Sequence, residues 1–83
     1  MSTRTRGKIV ITKPETFGPQ IAILREDRGW PQVKLAESIG MAVGRLRFVE
    51  GTRLFPTIDE VFALARVLEV EILIAPAAEG SPR

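Results

Sequence analysis

The sequence predicts a small, mainly α-helical domain of four to five helices with a short strand near each end. Three observations predict it. Apolar residues recur at 3–4 spacing in four successive segments, glycines or a capping box mark the helix boundaries, and β-branched runs occupy 8–12 and 70–74. At 83 residues the chain makes one domain on the usual scale of roughly 100–200 residues each. Residues 1–7 read as a flexible basic tail and 76–83 as a flexible tail rich in Pro, Gly and Ser, leaving 8–75 as the folded part.

Lys8-Ile9-Val10-Ile11-Thr12 is β-branched at four of five positions and reads as a strand closed by Pro14. The first helix runs from Thr16 or Gly18 to Arg28. Pro19 suits a first turn, Phe17, Ile21, Leu24 and Arg28 follow the spacing, and Gly29 supplies the stop. The second helix, 31–39, buries Leu35, Ala36 and Ile39 and ends at Gly40. The third, 42–50, is short. At about 100° per residue, Leu46 centres its inner face between Val43 and Val49. Gly44 and Phe48 then point outward, flanked by Arg45 and Arg47. A loop at 51–56 carries Arg53 and Pro56. Thr57-Ile58-Asp59-Glu60 is a capping box that opens a fourth helix, 58–68, whose buried stripe is expected to be Ile58, Val61, Phe62, Ala65 and Leu68.

Val70-Glu71-Ile72-Leu73-Ile74 alternates, with Val70, Ile72 and Ile74 on one face. Two isolated five-residue strands are marginal in water, and unpaired edges recruit other strands. The simplest solution is a sheet completed by a second copy of the chain, a homodimer with Val70, Ile72, Leu73 and Ile74 at its interface. The alternative is an intramolecular ribbon packed on the helices.

Composition narrows the chemistry. With no His, Cys or Tyr, the commonest general base, the thiolate ligands and the best nucleophiles are missing, so neither an enzyme nor a cofactor or metal is expected. Asp27, Asp59 and the glutamates show no paired-carboxylate spacing. No apolar run approaches the roughly 18 residues of a membrane span. The basic start is followed only by Ile9-Val10-Ile11, so export is not expected, and the absence of cysteine fits the cytoplasm. Net charge is only +2, but residues 1–13 hold Arg4, Arg6, Lys8 and Lys13 without an acid. Residues 41–53 set Arg45, Arg47 and Arg53 against Glu50 alone. Such clusters suit an anionic partner, although solvated surface is their commoner meaning.

The residues from Gln32 to Gly40 (with Leu35, Ala36 and Ile39), then Leu46-x-x-Val49-Glu50, Pro56-Thr57 and Leu64-Ala65-x-x-Leu68 resemble the Xre (lambda-repressor/Cro-like) helix-turn-helix family over about 17–70. Gly29-Trp30 and the segment Leu68 to Ile74 look like HipB-type antitoxins within it. The resemblance implies a cytoplasmic, homodimeric repressor that binds double-stranded DNA through the major groove with its third helix. A HipA-like toxin is implied as a further partner.

Carried over by position, Ala42, Val43, Gly44, Arg45 and Phe48 would face the bases, with Arg45 the candidate for guanine. Arg47, Arg53 and Lys34 would grip phosphates. Gln32 would touch a phosphate or brace the reading helix, and Glu50 would be structural. Departures from the family pattern are Pro31 and Ala42 in place of capping hydroxyls, and Gly44 and Phe48 in place of polar readers. Three readings stand open for Phe48: a contact to thymine methyls, a protein-binding patch, or simple core. The alternative function is a protein-interaction module with little or no DNA binding. Trp30 is expected to pack at the joint of the first two helices, and Arg25 and Arg28 to pair with acids on the first.

Overall fold

The computed structural model describes residues 7–75, so 1–6 of the expected tail at 1–7, with Arg4 and Arg6, and the expected tail at 76–83 lie outside the described residues, while Gly7 opens the first strand and does not belong to a tail. Strand β1 (Gly7–Ile11) leads through a 3-10 turn (Pro14–Thr16) into α1 (Phe17–Asp27), α2 (Gln32–Ile39), α3 (Val43–Glu50), α4 (Ile58–Leu68) and strand β2 (Val70–Ile74). Among the described residues the helices are four, at the lower end of the expected number.

Local chemistry explains where the helices stop and start. Gly29 and Gly40 both sit at φ +71°, the left-handed region that a side chain disfavours. At each, two backbone bonds close the helix end: Trp30 N–H to Arg25 O and Gly29 N–H to Glu26 O, then Met41 N–H to Ala36 O and Gly40 N–H to Glu37 O. Pro31 and Ala42 start α2 and α3 without a side-chain cap. At α4 the capping box is complete, with Glu60 N–H donating to Thr57 Oγ1 at 3.2 Å and Thr57 N–H to Glu60 Oε1 at 2.9 Å.

The core gathers one face of every element: Ile9 and Ile11, Phe17 and Ile21, Leu35 and Ala36, Leu46 and Val49, then Leu64 and Leu68. The inner face of α3 is the expected one. That of α4 is not. Val61, Leu64 and Leu68 point inward, whereas Ile58 and Phe62 are 61% and 62% exposed. Apolar residues cover most of the circumference of α4, so its pattern fits two stripes, and packing against α2 and β2 selects one.

The strands pair with each other, in parallel, with Gly7 opposite Val70 and Ile11 opposite Ile74. A second copy is therefore not required to give either strand a partner. The expected pairing of Arg28 with acids on its own helix also fails. Its Nη1 donates to Leu24 O at 2.9 Å and its Nη2 to Leu68 O, so it ties the ends of α1 and α4 together. Carbonyls at helix ends lack helical donors and attract a cation.

Helices α1 and α3 meet at Gly18, where a Cβ would fall inside van der Waals contact of the Val49 carbonyl oxygen and 3.0 Å from that of Glu50. Gly18→Ala is expected to lower stability by about 1–3 kcal/mol through overpacking against backbone that cannot yield. Urea unfolding with an unchanged slope and a lower midpoint checks it.

Candidate functional site

The position of α3 is set at both ends by ion pairs. At its last residue, Glu50 receives the α1 side chain Arg25, with Nε to Oε2 at 2.8 Å and Nη2 to Oε1 at 3.1 Å. The Nη1 of Arg25 donates to Trp30 O at 2.7 Å, and Gln32 Nε2 donates to Glu50 Oε1 at 2.9 Å. The arginine side chain is 9% exposed and the glutamate 6%. Arg25 also reaches Glu26 at 3.5 Å, so the expected pairing within its own helix is present but secondary. The hydrogen bonds to Glu50 raise the Arg25 pKa above its ordinary value against the opposing effect of burial. Gln32 thereby braces the end of α3.

Near the other end of α3, Arg45 is held by α4. Its Nε donates to Glu60 Oε2 at 2.8 Å and its Nη2 to Glu60 Oε1 at 2.9 Å. Glu60 is therefore at once the return half of the α4 capping box and a clamp on Arg45. Chiefly through the hydrogen bonds from Arg45, and further through Thr57, its carboxyl is held below the ordinary carboxylate range. The Nε–Nη2 edge of the Arg45 guanidinium is thus engaged within the chain, and Nη1 has no hydrogen-bond partner among the described residues.

Between these anchors α3 turns a largely apolar face outward. Phe48 is 54% exposed, which removes the core reading. Gly44, Ala42 and Arg47 are exposed as well, while Val43 is half-buried and packs on the core. Arg53 N–H donates to Phe48 O at 2.8 Å, which folds the loop back beside the end of α3 and sets Arg53 near Phe48. The loop is further held by Phe55, whose ring lies 5.4 Å from that of Phe17. Arg47 and Arg53 are exposed and form no ion pair among the described residues. Lys34 lies over the half-buried Trp30 ring at 5.0 Å, a cation–π contact at the joint of α1 and α2.

The four residues expected at a dimer interface separate. Val70 is buried in the chain's own core and Ile72 is half-buried, while Leu73 and Ile74 are exposed. On the outer face Val10 lies opposite Leu73, and Lys8 opposite Glu71. Among the described residues no cluster of acids could hold a metal ion, and no helix is long and apolar enough to cross a membrane.

Two residues that shape the site give no sign of that role in the sequence. The spacing of charges signals only local pairing for Arg25, and the capping box signals only a helix start for Glu60. Their partners lie 25 and 15 positions away, where no helical or strand periodicity marks a contact. The chain matches no protein-family model, no curated protein and no solved structure.

Replacing Arg25 with Met leaves the Glu50 carboxylate buried and bound only by Gln32. A loss of about 3 kcal/mol is expected, the scale of breaking a buried pair from one side, and equilibrium unfolding measures it. For Glu60, the folded-state pKa lies below the unfolded value of about 4.3. Its contribution is therefore whole above that value and disappears as pH falls through the folded pKa. Stability of the wild type should fall more steeply below about pH 4.3 than that of Glu60→Gln, as thermal melts across pH would show.

Proposed function

We propose that this chain is a sequence-specific DNA-binding transcriptional repressor that presents α3 to the major groove of double-stranded DNA and works as a homodimer. The observation that carries the reading is the outward face of α3. That face is rigidly mounted, largely apolar, and bordered by the exposed cations Arg47 and Arg53, with Lys34 on the neighbouring helix. Glu50 at the end of α3 and Glu60 beside Arg45 are both bound to arginines within the chain. The exposed cations around α3 therefore offer positive charge to phosphates, and these two acids are neutralised within the chain.

The order of α2, the turn at 40–42 and α3 is that of a helix-turn-helix module, which supports the reading, as does the resemblance of the sequence to the Xre family. Dimerisation is supported by the outer edges of β1 and β2, which have no strand partner among the described residues, and by the apolar Val10, Leu73 and Ile74 on the exposed parts of the sheet. A dimer would read two half-sites about one helical turn apart. The role of antitoxin, with a HipA-like toxin as partner, follows from the resemblance alone. No cofactor is needed.

The exposure of Phe48 also suits the second reading, a protein-interaction module with little or no affinity for DNA. Selection from a random duplex pool separates the two. A palindromic sequence is expected to be enriched and bound with a steep salt dependence. Removing Arg47 or Arg53 should lower the slope of log K against log salt by about one for each phosphate that is no longer neutralised. Absence of enrichment, or a slope indifferent to both arginines, would favour the protein-binding reading.

A further inference from the structure

We propose that α3 discriminates bases by apolar contact: Phe48 packs against the 5-methyl group of a thymine, and Gly44 lets the helix backbone come close enough for it to do so. The inference rests on the DNA-binding reading above and specifies how that reading would select a sequence.

Gly44 is the first sign. It is the second residue of α3, in its first turn, and nothing among the described residues calls for a glycine there. Its φ is not positive, unlike that of Gly29 and Gly40. A Cβ placed on it would meet no atom within 4 Å, in contrast to Gly18, which backbone carbonyls crowd. The missing side chain therefore serves nothing in the described fold and leaves a shallow place on the outer face, one turn before Phe48 in α3.

Phe48 is the second. An aromatic ring more than half exposed sits beside Val49, which is fully buried, so its outward direction is set by the same wheel that fixes the core. The third is the scarcity of free polar side chains on that face. Arg45 has Nε and Nη2 bound to Glu60, Val43 packs on the core, and Ala42 has no polar atom in its side chain. Arg47 is the remaining polar side chain between 42 and 48, on the flank of the face.

In the major groove thymine alone adds a methyl group to its O4 acceptor, whereas the edges of the other bases present only donors and acceptors that an apolar side chain would leave unpaired. An exposed ring beside a vacant backbone position fits the methyl and opposes the rest. Arg47 and Arg53, exposed at the border, supply charge complementary to the phosphates on either side.

The test uses the full chain and the duplex that selection enriches, with each thymine replaced in turn by deoxyuridine. This removes the methyl and leaves the hydrogen-bonding edge intact. Fluorescence anisotropy is expected to show affinity lower by about fourfold at one position of each half-site, corresponding to ~0.8 kcal/mol for one buried carbon. Phe48→Ala should bind more weakly and no longer distinguish thymine from uracil at that position. Arg45→Ala should retain the distinction. Gly44→Ala should melt no lower than the wild type yet bind several-fold more weakly, which separates approach from folding. Binding indifferent to uracil everywhere, or a thymine preference that survives in Phe48→Ala, would overturn the inference while leaving DNA binding in place. Failure to bind any duplex would overturn both.

Discussion

The pair formed by Arg25 and Glu50 is the contact on which the arrangement of the first three helices depends. It joins elements that are far apart in the chain: α1 supplies the cation, α3 ends in the anion, and the first residue of α2, Gln32, completes the carboxylate. The backbone carbonyl of Trp30 takes another guanidinium N–H, so the joint between α1 and α2 is bound into the same group. A buried ion pair is worth little when its remaining donors and acceptors go unmet. Here the planar fork of arginine meets both carboxylate oxygens and a carbonyl at once, a geometry that lysine could not reproduce.

With one end of α3 fixed in this way and Arg45 fastened to α4 at the other, the rotation of the helix is determined. Leu46 and Val49 enter the core, and Gly44 and Phe48 face away from it. The same two pairs bind the acids Glu50 and Glu60 internally, which leaves the border of the exposed face to Arg47 and Arg53. Stability and surface charge are thus arranged by the same contacts. Any partner meets a helix already oriented, and the ordering cost of association is correspondingly smaller.

Much of this architecture is legible in the sequence where the governing chemistry is local. Gly29 and Gly40 mark helix ends because a left-handed residue is needed there, and Thr57 with Glu60 spells out a helix start. The inner face of α3 is also legible, since Leu46 and Val49 leave little choice of rotation. Helix α4 is different: apolar residues surround it, so the exposed pair Ile58 and Phe62 could not be told from the buried Val61 and Leu64 without knowing what packs beside them. The two ion pairs are illegible for another reason, because their partners are distant in sequence and nothing in the spacing of charges selects them. The strands pose the same difficulty. An alternating segment signals that it needs a partner and does not say whether the partner belongs to its own chain.

In the proposed function, α3 is the surface that meets DNA. Titration of the uniformly 15N-labelled chain with an enriched duplex, followed by amide chemical shifts, tests this most directly. The largest changes are expected at 42–48 and at Arg53, with smaller ones at the start of α2. Shifts centred on Ile58 and Phe62 or on the outer face of the sheet, with the amides of α3 unmoved, would contradict it.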